Sequence, residues 1–280
     1  MRVTVWGCRG SIASPGADTV RYGGNTSCLE VRLSDGSLIV LDAGTGARPL
    51  GLALEENPVE RIDLLLTHLH LDHIEGLGAF EPIWDRKTEL HIWGPSSPVA
   101  SLRERIAMYF SPPLFPVYLP DVLARVEFHD APEGDWVLGD ARVTSHQIMH
   151  QGSTVGYRIE DSGRTLAYLT DHEPALGGDL AEMSDEWISG YEIARGADVL
   201  VHDCQYTPEE YAERVGFGHS STEHVAMFAR RTDVGRLVLF HHDPMHTDDE
   251  LDAIRERVID RFGVDGERVA LAADGMSFEV

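Results

Sequence analysis

Residues 67–73 read Thr-His-Leu-His-Leu-Asp-His, a run rich in side chains that bind metal ions. Imidazole nitrogen and carboxylate oxygen are both good ligands for zinc and similar divalent cations. A regular element cannot turn all four candidates toward one ion. On a loop, His68 and His70 can face one ion while Asp72 and His73 face its neighbour. The competing interpretation is a group of surface histidines beside a helix-capping aspartate.

Further histidines and aspartates stand where predicted strands end. They are His150 after ARVTSHQIM, Asp171 after RTLAYLT, Asp203 after ADVLVH and His241 after RLVLF. Residues at strand ends gather along one edge of a layered sheet, where functional groups are commonly placed, so we expect them near the histidine-rich run. The predicted two-metal site has one ion at His68, His70 and His150, a second at Asp72, His73 and His241, and Asp171 as the bridge.

Hydrophobic alternation and turn residues predict the elements that must position these side chains. We predict strands at 2–6, 28–33, 37–41, 61–66, 89–93, 141–145, 154–159, 164–169, 198–201 and 236–240. We predict a helix at 101–110 and others starting at residues 208, 221 and 248, with capping boxes Thr207-x-x-Glu210, Ser220-x-x-Glu223 and Thr247-x-x-Glu250. No repeat or linker divides the sequence. We therefore expect one domain over 1–280, of the α/β (α+β) class, with two packed sheets and outer helices.

Composition limits the kind of partner. Lys and Arg number 23 against 47 Asp and Glu, which gives a formal net charge of −24. A surface this acidic repels phosphate backbones, so a long nucleic acid is a poor candidate partner. A small phosphate ester would need a local positive centre. The 42% hydrophobic content is typical of globular proteins and excludes intrinsic disorder.

Three scattered cysteines, Cys8, Cys28 and Cys204, form no CxxC pair, which favours a reducing compartment over a disulfide framework. The sequence contains no apolar stretch near the roughly 18 residues of a transmembrane helix, so no membrane partner is expected. The first residues, MRVTVWGCRGS, show no signal-peptide pattern. We therefore expect a cytoplasmic protein.

The His-x-His-x-Asp-His run, the isolated His150, Asp171 and the late His241 together resemble the metallo-β-lactamase superfamily. Within it, the chain resembles the tRNase Z-like phosphodiesterase branch. The sequence GHSS at 218–221, LVHDC at 200–204 and LVLFHHDP at 237–244 match motifs of that branch. The resemblance implies a four-layer αβ/βα sandwich of two mixed β-sheets flanked by helices. It also implies two divalent cations per chain, zinc in the first place and manganese or iron(II) as alternatives.

The resemblance guides two choices between neighbouring histidines. His150 is preferred to His146 because the residues after it resemble the family's context after the ligand. His241 is preferred to His242 because it aligns with the end of the family's last ligand strand. Two departures bear on the substrate. The chain lacks the long basic arm of tRNA-processing members, since Lys87 is its single lysine, and Asp203 stands where the branch usually has Glu.

The function that follows is hydrolysis of a small or cyclic phosphodiester by a metal-bridging hydroxide. Asp72 would orient the nucleophile, His219 would act as general acid or phosphate contact beside Ser220, and Asp203 would orient His219. The alternatives are a tRNA 3′-end endonuclease, a lactamase- or thioesterase-type hydrolase, and a redox di-iron protein. The segment 109–120 could cover the site, cover the contact surface of a homodimer, or pack as an ordinary loop.

Overall fold

Two seven-stranded β-sheets form the centre of the protein in a computed structural model that describes residues 1–263 and 265–280. The fourteen strands within these residues are β1 Arg2–Gly7, β2 Cys28–Arg32, β3 Leu38–Leu41, β4 Arg61–Leu65, β5 Glu89–Gly94, β6 Arg125–Asp130, β7 Gly134–Leu138, β8 Ala141–Gln147, β9 Val155–Asp161, β10 Arg164–Leu169, β11 Val199–Asp203, β12 Arg236–Phe240, β13 Val269–Leu271 and β14 Ser277–Glu279. The seven α-helices described there are α1 Ala47–Glu56, α2 Leu71–Ile74, α3 Leu102–Tyr109, α4 Tyr191–Ala194, α5 Pro208–Ala212, α6 Thr222–Arg231 and α7 Asp248–Phe262.

Each sheet mixes parallel and antiparallel pairs. The first has the order β14-β1-β2-β3-β4-β5-β6, and the second has the order β13-β12-β11-β10-β9-β8-β7. Strands β3 to β6 run parallel, as do β10 to β13, whereas the remaining neighbours are antiparallel. The central strand β3 (LIVL) is buried along its whole length, which fits its continuous apolar sequence. The prediction of two mixed sheets is confirmed.

Three apolar clusters divide the molecule into layers. The inner cluster joins the facing sides of the two sheets and includes Val5 of the first and Val238 of the second. One outer cluster packs α1 and α3 on the first sheet. The other packs α4, α6 and α7 on the second sheet. This is the four-layer sandwich that the family resemblance implies. The inner cluster also includes Phe278 of β14, and one domain over 1–280 stays a prediction.

Most predicted elements are found within two residues of their expected bounds, but one predicted cap is wrong. Helix α6 is capped by Ser221, which accepts a hydrogen bond from the His224 amide, and not by Ser220. Ser220 is occupied elsewhere: its hydroxyl donates to the His172 carbonyl and its amide donates to Asp203. Helix α1, the edge strands β6 and β7, and the short strands β13 and β14 are not among the predicted elements.

Among the described residues, no helix is both long enough and apolar enough for a membrane crossing.

Arg9 holds the N-terminal loop against the start of α7. Its side chain is fully buried, and its guanidinium donates to the carbonyls of Gly23, Asp243 and His246 at 2.9, 3.1 and 2.7 Å. The Nη2 atom lies 3.6 Å from Asp248 Oδ1. A buried guanidinium needs such partners because its desolvation is costly. Arg9 thus joins segments that are more than 230 residues apart in the sequence.

Arg9→Met should lower the free energy of unfolding by about 3 kcal/mol, because three buried carbonyls lose their donor and Asp248 loses one of its two neighbouring cations, Arg21 being the other. Urea unfolding followed by circular dichroism measures the change. Arg230→Met, at an exposed position of α6, is the matched control and should leave stability within about 0.5 kcal/mol of the parent. Equal losses in the two variants would contradict a structural role for Arg9.

Candidate dinuclear metal site

The predicted ligands meet at one edge of the two sheets. His68 and His70 follow β4, and the short helix α2 carries Asp72 and His73. The sequence pattern predicts a loop for all four residues, but Asp72 and His73 lie on this helix. From the second sheet, His150 follows β8, Asp171 follows β10 and His241 follows β12. This is the edge at which the carboxyl ends of the parallel strands collect.

The side chains form two adjoining groups that share one carboxylate. Within each group, all potential ligand atoms lie within 4.8 Å of one another. The first group is His68, His70, His150 and Asp171, and the second is Asp72, His73, His241 and Asp171. Asp171 Oδ2 lies 3.6 Å from His68 Nε2 and 3.7 Å from His150 Nε2. Its Oδ1 lies 3.0 Å from His73 Nε2 and 3.1 Å from His241 Nε2. One oxygen of Asp171 therefore faces each group.

The chemistry of these residues fits a pair of divalent cations. The Nε2 atoms of His68 and His73 are buried, and neither is aligned for a hydrogen bond with any described residue, although His73 Nε2 lies close to Asp171. Burial lowers the pKa values of His68, His70 and His150, which favours the neutral imidazole that binds metal. Burial opposes the charged form of His73, but Asp171, Asp72 and Asp42 outweigh it and raise its pKa. Bound cations can replace that proton and balance the buried carboxylates.

Asp42 is a site residue that the sequence analysis missed. It is fully buried directly after β3, with φ 58°, an uncommon conformation for a residue other than glycine. Oδ2 accepts hydrogen bonds from His73 Nδ1 at 2.9 Å and from the Tyr168 hydroxyl at 2.9 Å, and Oδ1 accepts from the Thr67 amide at 2.8 Å. His73 Nε2 is thereby directed to Asp171. The available signal was an aspartate directly after a buried strand, as for Asp171.

Backbone groups and a glutamine orient two further rings. His150 Nδ1 donates to the Gly218 carbonyl at 2.9 Å, and His241 Nδ1 donates to Gln205 Oε1 at 3.1 Å, so both Nε2 atoms face Asp171. The two rings are also confined by glycines. A Cβ added to Gly10 would lie 2.4 Å from His241 Nδ1, and one added to Gly218 would lie 2.1 Å from His150 Nδ1.

A network of main-chain and side-chain donors also holds Asp72. The amide of Ser11 donates to Asp72 Oδ2 at 2.7 Å, and Gln205 Nε2 donates to the Ser11 hydroxyl at 3.3 Å. Neither Ser11 nor Gln205 was a candidate in the sequence analysis. Gln205 lies one residue beyond the LVHDC motif, which is the signal that could have identified it.

His219 and Asp203 lie beside the second group. His219 Nδ1 is 2.7 Å from Asp203 Oδ2, and the His219 ring stacks on His241 with ring centroids 5.1 Å apart. Burial lowers the pKa of His219, but the carboxylate of Asp203 outweighs it and raises the pKa to about 9. Because Asp203 holds Nδ1–H, Nε2 is the atom of His219 that is free to act on a ligand.

The comparison with known proteins agrees with this geometry. A model described as the beta-lactamase superfamily domain matches residues 38–242, which include all the candidate ligands. The chain belongs to this superfamily.

Curated relatives in the superfamily include the Ribonuclease Z of Thermoplasma acidophilum, which is 29% identical over 76% of this chain and 80% of its own length. The Ribonuclease Z of Haloarcula marismortui is 26% identical over 100% of this chain and 97% of its own length. Similar solved structures include the metallo-beta-lactamase fold protein YhfI from Bacillus subtilis, with a TM-score of 0.70, 19% identity and 99% of both chains covered. Human tRNase Z, short form, has a TM-score of 0.64, 20% identity and covers 100% of this chain and 99% of its own.

The structure of this superfamily member also places the competing histidines. His146 is partly exposed and lies 2.6 Å from Glu133 Oε1, away from both groups. His242 is buried with Nε2 donating to the Ala272 carbonyl at 3.0 Å, and burial lowers its pKa to about 3. Of each pair, His150 and His241 are therefore the histidines that join the site.

Ser220 is placed differently from the sequence-based expectation. It is fully buried beneath the site with its hydroxyl bonded to His172, which does not support the predicted substrate contact. The first half of the segment 109–120 packs against the first sheet. The Tyr109 hydroxyl donates to the Glu75 carbonyl at 2.7 Å, and Phe115 packs on the outer core of that sheet.

Asp42→Asn should weaken zinc binding at the site about 10- to 100-fold, because an amide NH2 would replace an oxygen that accepts from His73, Thr67 or Tyr168. Competition with a chromophoric chelator measures both affinity and stoichiometry, and the parent should hold two tight ions per chain. Asp161→Asn is the matched control: this carboxylate is also buried, but it accepts from the amide and hydroxyl of Ser34 instead of a candidate ligand. Unchanged zinc affinity in Asp42→Asn would refute the orienting role.

Proposed function

We propose that the protein is a dinuclear metal-dependent phosphodiesterase that hydrolyses a small or cyclic phosphodiester. The observation that carries the proposal is Asp171, which presents one oxygen to each of two histidine groups, with the Asp203–His219 pair alongside. Superfamily membership supports metal-dependent hydrolysis. Zinc is the proposed metal, since imidazole and carboxylate suit it, and manganese and iron(II) use the same donor types.

The seven proposed ligands are His68, His70, Asp72, His73, His150, Asp171 and His241. When bound, two divalent cations lower the pKa of a water molecule and neutralise the charge on the phosphoryl oxygens. The chain's own residues supply the rest. The Ser11 amide holds Asp72 in place, and Asp42, Gln205 and the Gly218 carbonyl fix the rings of the histidines that they contact.

His219 is the proposed proton donor. Asp203 accepts from Nδ1–H and so stabilises the protonated ring, which keeps a proton on Nε2. Asp203 is itself held by the amides of His172, Gln205 and Ser220 at 3.2, 3.0 and 3.3 Å. With its partner fixed, Nε2 of His219 can donate to the leaving oxygen of a phosphodiester, and this step is most important when the leaving group is a poor one.

The residues around the site favour a small substrate with an apolar portion. Exposed apolar side chains adjoin site residues in the sequence: Ile12 beside Ser11, Leu71 beside Asp72, Met149 beside His150 and Phe217 beside Gly218. Their exposed fractions are 61%, 64%, 41% and 53%. Exposed apolar groups suit an organic substituent better than they suit a polyanion. The connection between β10 and β11, residues 170–198, carries eight carboxylates and a single basic residue, Arg195.

A tRNA 3′-processing nuclease is the second candidate, and one observation favours it. Curated relatives that match most of this chain at 23–29% identity are named Ribonuclease Z. The charge of −24 and the acidic connection between β10 and β11 weigh against a long RNA. The two candidates share one site, so substrate assays must separate them.

We also propose that the protein works in the cytoplasm. Cys8, Cys28 and Cys204 are free and buried, and burial raises the pKa of each thiol, so all three stay protonated and unreactive. A chain with three unpaired thiols and no disulfide framework in its described part suits a reducing compartment.

The zinc-loaded protein should hydrolyse bis(p-nitrophenyl) phosphate and small cyclic phosphodiesters with higher kcat/KM than pre-tRNA, because the acidic surface repels a long polyanion. The assay uses both substrate classes at two salt concentrations, with Asp171→Ala as the inactive control. Efficient pre-tRNA cleavage that weakens steeply with salt would contradict the proposal and favour a tRNA 3′-processing nuclease.

His219→Ala should lower kcat about 10²- to 10⁴-fold on a substrate with an alkoxide leaving group, because that group needs a proton. The loss should be much smaller with p-nitrophenolate, which departs unprotonated. Both rates are measured with metal content verified as equal to the parent. His146→Ala, a histidine away from the site, should match the parent on both substrates. If His219→Ala lowers kcat by the same factor on both substrates, His219 binds phosphate and does not protonate the leaving group.

A further inference from the structure

A third group of metal-binding side chains lies on β5 and the edge strand β6 of the first sheet. His91 and Glu127 are paired in the register of these parallel strands, and His129 lies two residues beyond Glu127. Alternate residues of a strand share a face, so the three side chains project together. They belong to neither of the two groups that share Asp171.

The ligand atoms are close enough to share one ion. All three lie within 4.8 Å of one another. His91 Nδ1 is 2.9 Å from His129 Nε2 and 3.9 Å from Glu127 Oε2. The side chain of His91 is buried, whereas that of Glu127 is 50% exposed. A cation can therefore approach from solvent while the imidazole behind it stays fixed.

The surroundings orient the two rings. His91 Nε2 lies 3.0 Å from Glu89 Oε1, so Nε2 carries the proton and Nδ1 offers its lone pair to the group. A carboxylate behind a histidine is the arrangement that fixes the tautomer of metal-binding imidazoles. His129 stacks on Trp93 with ring centroids 4.1 Å apart, and Trp93 packs on Trp136 at 4.5 Å. These contacts limit the movement of the His129 ring.

The local charges leave Glu127 available. Arg61 is bonded to Asp63 at 2.8 Å, and Arg125 is paired with Glu89. Glu127 is the carboxylate that faces His91 Nδ1. Because Nδ1 accepts, the His91–His129 contact requires a proton on His129 Nε2, and a divalent cation between the rings can take the place of that proton. Burial and the neighbouring His91 lower the pKa of His129, which helps it to bind as a neutral ligand.

We propose that His91, Glu127 and His129 form a separate mononuclear site for a divalent transition cation of the zinc, nickel or copper(II) type. Two imidazoles and one carboxylate are the donor set that such cations prefer, and solvent can fill the open positions. A bound ion would tie the edge strand β6 to β5. The site therefore stabilises the sheet and has no part in hydrolysis.

Tryptophan fluorescence tests the proposal, because Trp93 and Trp136 pack next to the site and Ni²⁺ quenches nearby indoles. Protein already loaded with zinc at the dinuclear site is titrated with Ni²⁺. We expect one further equivalent of nickel per chain, quenching of tryptophan emission and a higher Tm. Phosphodiesterase activity should stay unchanged.

Variants assign the signal to these residues. His129→Ala and Glu127→Gln should each weaken nickel binding about tenfold or more. Glu89→Gln, which removes the orienting carboxylate together with its ion pair to Arg125, should weaken it about tenfold. Glu127→Gln replaces a half-exposed group with one of the same size, so it tests binding even if His129→Ala folds poorly. The matched control is Glu133→Gln, which alters a surface His–Glu pair without a third ligand. No further equivalent of nickel, or equal weakening in Glu133→Gln, would overturn the proposal.

Discussion

The buried carboxylate of Asp42 is the interaction on which the site depends most. A charge placed between two sheets is costly unless hydrogen bonds replace its water, and four donor groups do so here. Thr67 and His73, which follow β4 of the first sheet, supply three of these donors, and Tyr168 on β10 of the second sheet supplies the fourth. The same oxygen that orients His73 therefore also fixes how the two sheets dock. If the two sheets packed in a different relative position, the His73 ring would be misplaced.

Neither sheet could bind two cations alone. The first supplies the His-x-His-x-Asp-His run, and the second supplies the bridging Asp171 together with His150 and His241. Bound ions would cross-link the two halves of the sandwich, so metal binding and folding are coupled. Asp171 and His241 both adopt positive φ, at 50° and 55°, which costs energy that the surrounding packing must supply. Backbone strain is thus concentrated where the two sheets share their ligands.

Much of the candidate site could be predicted from the amino-acid sequence because strand ends are easy to recognise. The run at 67–73 and Asp171 after β10 required only alternation and residue type, whereas the choices of His150 over His146 and of His241 over His242 also needed the family resemblance. What was missed depends on interactions without a local signal. Helix α1 begins at Ala47, and the N-cap residue before it, Gly46, has no side chain to form a cap. Ser220 and Ser221 are equal candidates for a cap until tertiary contacts engage one of them. His91 and His129 are 38 residues apart and meet only through the register of β5 and β6.

Gly10 and Gly218, which lie against the rings of His241 and His150, determine at which stage these side chains lose their rotational entropy. A free imidazole samples several rotamers, and a cation that binds it must stop that motion at the expense of affinity. At Gly10 and Gly218 the backbone lies so close to His241 and His150 that folding already restricts both rings. The rotational freedom is given up during folding, before any ion arrives. Since every other amino acid carries a Cβ, this close approach is open to glycine alone.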